Sequence, residues 1–189
     1  MRFMATIGFL AILVAIAAGV YFFGGYYSIS AVQADPASVA WAIGEVRDAS
    51  INRHATEQPP MSLNDPAVIQ AGARAFDQRG CASCHGGPGV DWAKFSEGLR
   101  PDPPDLKDVA KDTPVAQIFW VVKNGINMTG MPSFARAGVD DKEIWTIVAF
   151  VKKLPVVSDA DFKNWTAPPP IVPPTPPPAA PAAPAAPQQ

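Results

Sequence analysis

The chain has 189 residues, with 15 Lys and Arg against 17 Asp and Glu, for a formal net charge of −2. Charges of both signs are interleaved, which excludes the basic patch of a nucleic-acid binder, the basic face of a membrane-surface helix, and a strongly acidic or basic partner. Two cysteines exclude a disulfide framework and a Cys-rich zinc site, and an apolar start and proline-rich end leave room for one small domain of roughly 90–100 residues.

From Phe3 to Phe23 the chain carries no charge, and Thr6 is its only clearly polar side chain. A helix needs about 20 such residues to cross a bilayer. Tyr21, Tyr26 and Tyr27 cluster at the far end, where aromatic rings favour the membrane interface. Arg2 flanks the near side and Asp35 is the first charge beyond, so the positive-inside rule puts the N-terminus in the cytoplasm and the rest outside. A cleaved signal peptide is the rival, with Val32-Gln33-Ala34 as its cleavage site. The apolar run is long for a signal core and ends well before Ala34, which favours a retained anchor over residues 1–27. The expected location is a bacterial inner membrane, crossed once, with the body in the periplasm.

Residues 28–60 are expected to form a periplasmic helix and linker. Asp35 caps a helix with Pro36 at its first position, and Val39, Ile43, Val46 and Ser50 recur at roughly helical spacing. His54, at its end, reads as a helix C-terminal residue rather than a ligand. Two prolines close the linker at 59–60.

The next unit, 61–155, begins with Asn64-Asp65-Pro66, a second cap-plus-proline start. It predicts a helix from Pro66 to Gln78, with Val68, Ile69, Gly72, Ala73 and Phe76 on its apolar side. Gly72 costs a helix about 1 kcal/mol against Ala, so its presence points to close approach by another helix. Gly80 ends the helix, and Cys81-Ala82-Ser83-Cys84-His85 follows at once.

This spacing, C-x-x-C-H, reads as a c-type haem attachment site. Each sulfur adds to one porphyrin vinyl group, and the imidazole of His85 falls under the iron as proximal ligand. A thioredoxin-like redox pair and a chance pair of buried cysteines are the rivals. The lack of other cysteines, the exported context and a methionine downstream all favour one covalently bound haem c.

Gly86-Gly87-Pro88-Gly89 is a tight loop without phosphate-binding spacing. Pro101 to Leu106 reads as rigid extended chain. Thr113-Pro114 opens a further helix that Asn124-Gly125 stops. The loop Ile126 to Pro132 holds two methionines, and a thioether is a soft ligand that raises the potential of a haem iron. Met128 and Met131 compete for this role, and either could instead fill the core. Pro132 restrains Met131, and Gly130 gives freedom for a sharp turn before it, so Met131 is the expected ligand. Asp140 and Glu143 carry capping-box spacing. The helix from Asp141 to Leu154 turns Ile144, Ile147, Val148, Val151 and Leu154 inward, with Trp145 and Phe150 available to cover the first helix; Pro155 ends it. From 156 to 189 the chain is expected to be a disordered Pro/Ala-rich tail. In it, 11 of the 20 residues from Pro168 to Pro187 are proline, a composition that builds no core and favours extended polyproline II.

Residues 66–154, about half of the chain, resemble a class I monohaem cytochrome c, and the whole arrangement resembles the membrane-anchored forms of proteobacteria. The resemblance rests on Gly72 and Phe76, CASCH, Pro104-Asp105-Leu106, Gly130-Met131-Pro132 and an aromatic-bearing last helix, in that order. It implies an all-α cytochrome c-like haem domain behind an N-terminal transmembrane helix, with first and last helices crossing at Gly72 and Phe76 against Phe150. It also implies that the carbonyl of Pro104 holds His85, and that His85 and Met131 are the iron ligands. No catalytic residue is assigned. The function so implied is one-electron transfer, from a quinol-oxidising or dehydrogenase complex to a terminal oxidase or other acceptor, as a carrier or as a subunit of such a complex. The alternative is a haem enzyme or gas sensor, which needs an open iron site.

Overall fold

The computed structural model describes residues 2–168, and within them every regular element is helical. Helix α1 spans Arg2–Phe23, α2 Ala37–His54, α3 Pro66–Gln78, α4 Cys81–His85, α5 Leu106–Asp112, α6 Val115–Asn124, α7 Asp141–Lys153 and α8 Asp159–Thr166. Helix α1 is long and apolar enough to cross a membrane, which fits an anchor.

The helix ends follow the capping residues. The Asp65 carboxylate accepts from the Ala67 amide at 2.8 Å with Pro66 behind it, and Asp140 accepts from the Glu143 amide at 2.8 Å. Each satisfies an amide that the first turn leaves without a helical partner. Helix α2 departs from its expected start. Pro36 occupies the cap position with extended backbone and no side-chain cap forms, while Asp35 accepts a hydrogen bond from the Tyr27 hydroxyl instead. Trp41, Ile43 and Val46 of α2 are exposed, and its C-terminal end meets α6. Gln117 donates to Asn52 at 2.6 Å, and the His54 ring stacks on Trp120 with centroids 6.0 Å apart.

The core is built on α3 against α7, the most extensive helix contact. Gly72 permits it: a Cβ there would lie 1.9 Å from the Thr146 carbonyl oxygen and 2.9 Å from the Phe150 Cβ. Phe76 and Phe150 meet beside this crossing, with centroids 5.1 Å apart. Trp145 departs from expectation. It covers Phe119 of α6, in a near-parallel stack at 4.1 Å, rather than the first helix. Trp145 directly precedes Thr146, which faces α3, so it projects about 100° further round α7, and the aromatic of α6 is what that side meets.

Three helices were not expected: the single turn α4 at the C-x-x-C-H motif, α5 and α8. Asp105 caps α5 by accepting from the Lys107 amide at 2.7 Å, so the extended proline stretch ends one residue before Leu106. The Lys152 ammonium donates to the carbonyls of Ala110 and Thr113 at the far end of α5. Helix α8 occupies part of the expected disordered tail. Ser158 caps it, accepting from the Asp161 amide at 3.1 Å, and Phe162, 2 % exposed, enters the Phe76–Phe150 cluster. The packed unit therefore continues past 155, as far as Thr166. The proline-rich run beyond lies outside the described residues.

Candidate haem site

Helix α4 is a single turn bounded by Gly80 and Gly86, both at positive φ (77° and 66°). The tight reversal keeps Cys81, Cys84 and His85 on one short turn beside the end of α3. Neither cysteine is in a disulfide. Burial pushes the Cys81 thiol up to about 12, more than its local backbone hydrogen bond pulls it down. A redox-active C-x-x-C pair needs the opposite, a thiol of lowered pKa.

His85 Nδ1 lies 3.0 Å from the Pro104 carbonyl oxygen. A carbonyl only accepts, so Nδ1 carries the proton and Nε2 is left with its lone pair. Burial lowers the His85 pKa, and the Pro104 bond opposes that in part. Burial, the larger effect, favours the neutral imidazole, and the Pro104 carbonyl orients it; a neutral, oriented ring is the form a metal accepts.

A cleft of about 640 Å³ opens beside this turn, lined by Cys84, His85, Trp92, Pro104, Leu106 and Leu154 among others. Its volume falls in the roughly 300–1,000 Å³ range of cofactor pockets. Met131 does not line this cleft; it is half-buried and packs against the hydrophobic core. Its amide donates to the Thr129 hydroxyl at 3.1 Å, and its carbonyl accepts from the Ile126 amide at 3.2 Å. Met128 is 91 % exposed, with φ at 60°. Gly130 is not at positive φ. Its small size leaves room for Leu99, whose Cδ1 would lie 2.9 Å from a Cβ.

Sequence reasoning did not single out Trp92 or Leu99. Trp92 sits in an irregular stretch and lines the cleft. The Glu97 carboxyl is held below its ordinary range chiefly by Lys94, 2.7 Å away, with Trp92 contributing less. No periodicity marks such a residue.

The donor chemistry fits a covalently attached haem: two unpaired thiols on one turn, an imidazole with Nε2 unprotonated, and a thioether within the same domain. Helices α3 and α7 crossing beside that turn make this a cytochrome c domain. Residues 67–151, just under half of the chain, match the family model described as cytochrome c oxidase, cbb3-type, subunit III. Residues 67–151 are accordingly a domain of the cytochrome c type, and the N-terminal apolar helix ahead of them fits membrane anchoring. Helices α1, α2 and α8 lie outside the match. No curated protein and no solved structure matches the chain.

Proposed function

We propose that the protein is a membrane-anchored periplasmic cytochrome that carries single electrons between respiratory or dehydrogenase complexes. Cys81 and Cys84 would hold the haem by thioether bonds, and His85 and Met131 would ligate its iron. When bound, the haem supplies a one-electron iron couple whose potential a methionine ligand raises. The observation that carries the reading is the Pro104 carbonyl at 3.0 Å from His85 Nδ1, which fixes both the tautomer and the plane of the ring. A ring so held needs little rearrangement when the charge on a bound iron changes. Leu106, Leu154 and Trp92 line the cleft with apolar surface that limits water.

The family description names a subunit of an oxidase. It supports a place within, or directly feeding, a membrane oxidase complex, with a quinol-oxidising or dehydrogenase complex as electron source. The orientation rests on Arg2 before the span and Asp35 after it.

Potentiometric titration of the full-length protein tests the reading. A single reversible one-electron wave is expected, and Met131→Ala should move it to lower potential. An unchanged potential in Met131→Ala would remove the thioether from the assignment.

A further inference from the structure

Gly125 ends α6 in a conformation that is nearly exclusive to glycine, with φ 70° and ψ −174°. Helix termination alone does not require this residue to be so closely packed. A Cβ on Gly125 would lie 2.7 Å from the carbonyl carbon of Pro132, 2.7 Å from the amide nitrogen of Ser133 and 2.8 Å from the carbonyl oxygen of Met131. All three are backbone atoms of the segment that carries Met131, and none can swing aside as a side-chain tip would. The next residue, Ile126, donates its amide to that same Met131 carbonyl at 3.2 Å. Thr129 closes the loop from the other side: its hydroxyl donates to the Ile126 carbonyl at 2.8 Å and accepts from the Met131 amide at 3.1 Å.

We propose that Gly125 and Thr129 are positioning residues that fix the Met131–Pro132 backbone, and through it the thioether of Met131. The proposal rests on the reading of Met131 as distal ligand. Gly125 acts by close approach: the end of α6 is a flat surface on which the Met131–Pro132–Ser133 backbone lies. Thr129 acts by bridging, so that both the amide and the carbonyl of Met131 are tied to the end of α6. A loop of six residues between Gly125 and Pro132 is thereby closed at both ends, and the thioether has one place to be.

The internal control is Gly138. It also has positive φ, 83°, yet nothing lies within 4 Å of the position of its Cβ. Gly138→Ala therefore places a Cβ at positive φ without the collision.

The test uses the full-length holoprotein and reads the weak long-wavelength sulfur-to-iron charge-transfer band of the oxidised form, together with carbon monoxide binding by the reduced form. Gly125→Ala should lose the band and bind carbon monoxide rapidly, while Gly138→Ala should keep the band and stay closed. Where Gly125→Ala fails to fold, Thr129→Val should weaken or lose the band, and Thr129→Ser, which keeps the hydroxyl, should restore it. A folded Gly125→Ala with the parent band overturns the proposal, as does a parent band in Thr129→Val. Loss of the band in Met131→Ala with its retention in Gly125→Ala would leave the ligand assignment standing and sink only the positioning role. Survival of the band in Met131→Ala would remove the assignment and the proposal together.

Discussion

Cys81 and Cys84 lie one turn apart in α4, both unpaired, with His85 immediately beside them. This local geometry leads to a covalent expectation: acid–acetone extraction should leave the haem on the polypeptide, whereas its complete release would refute thioether attachment. The two methionines differ in kind. Met131 is packed and tied by two backbone hydrogen bonds, while Met128 stands 91 % exposed. Met128→Ala should therefore leave the sulfur-to-iron band and the potential nearly unchanged. Loss of the band in Met128→Ala alone would transfer the ligand role to that residue. At this scale the sequence was informative where a motif compresses the chemistry into adjacent residues, as in CASCH and Met131-Pro132. It was uninformative where a residue's reason lies in distant atoms. Gly125 reads as a helix stop and Gly130 as a turn, yet the first is pressed against the Pro132–Ser133 backbone and the second against Leu99.

Among the elements, α3 and α7 were legible because both carry their apolar residues at helical spacing and begin with side-chain caps, whereas their crossing at Gly72 was implied by the family resemblance. Gly72→Ala places a methyl 1.9 Å from the Thr146 carbonyl oxygen. Overpacking of this sort costs roughly 1–3 kcal/mol, and more where backbone must move; thermal unfolding of the holoprotein should show the loss. An undiminished Tm would mean that the crossing is looser than described. Helix α8 was missed because proline-rich composition nearby dominated the reading. The signal was present in Ser158 and Asp161, a cap with an acid three residues on, just ahead of Phe162. Phe162 covers Gly87, which lies in the loop after the haem motif: a Cβ on Gly87 would be 3.6 Å from its ring. Phe162→Ala should destabilise the domain by about 3–5 kcal/mol, the usual cost of truncating a buried phenylalanine. A cost under about 1 kcal/mol would place α8 outside the cooperative core. Trp145 teaches a related point: the pattern gave its burial, but only the position of α6 decided that Phe119 would be its partner.

For the whole molecule, an apolar helix stands ahead of a small helical domain built around one C-x-x-C-H turn. The charge asymmetry across the span predicts that protease added to spheroplasts cuts the haem domain free. Protection of that domain would invert the orientation. The proposed electron transfer depends on a closed iron: were His85 and Met131 both to ligate it, no position would be left for an exogenous ligand, whereas an open site would suit a sensor or an enzyme. The most direct measurement is therefore to mix carbon monoxide with the reduced full-length protein at neutral pH and follow the Soret band. A closed His85/Met131 iron should show no rapid binding, with any slow change limited by release of the thioether; rapid, stoichiometric formation of the carbon monoxide adduct would contradict the electron-carrier account.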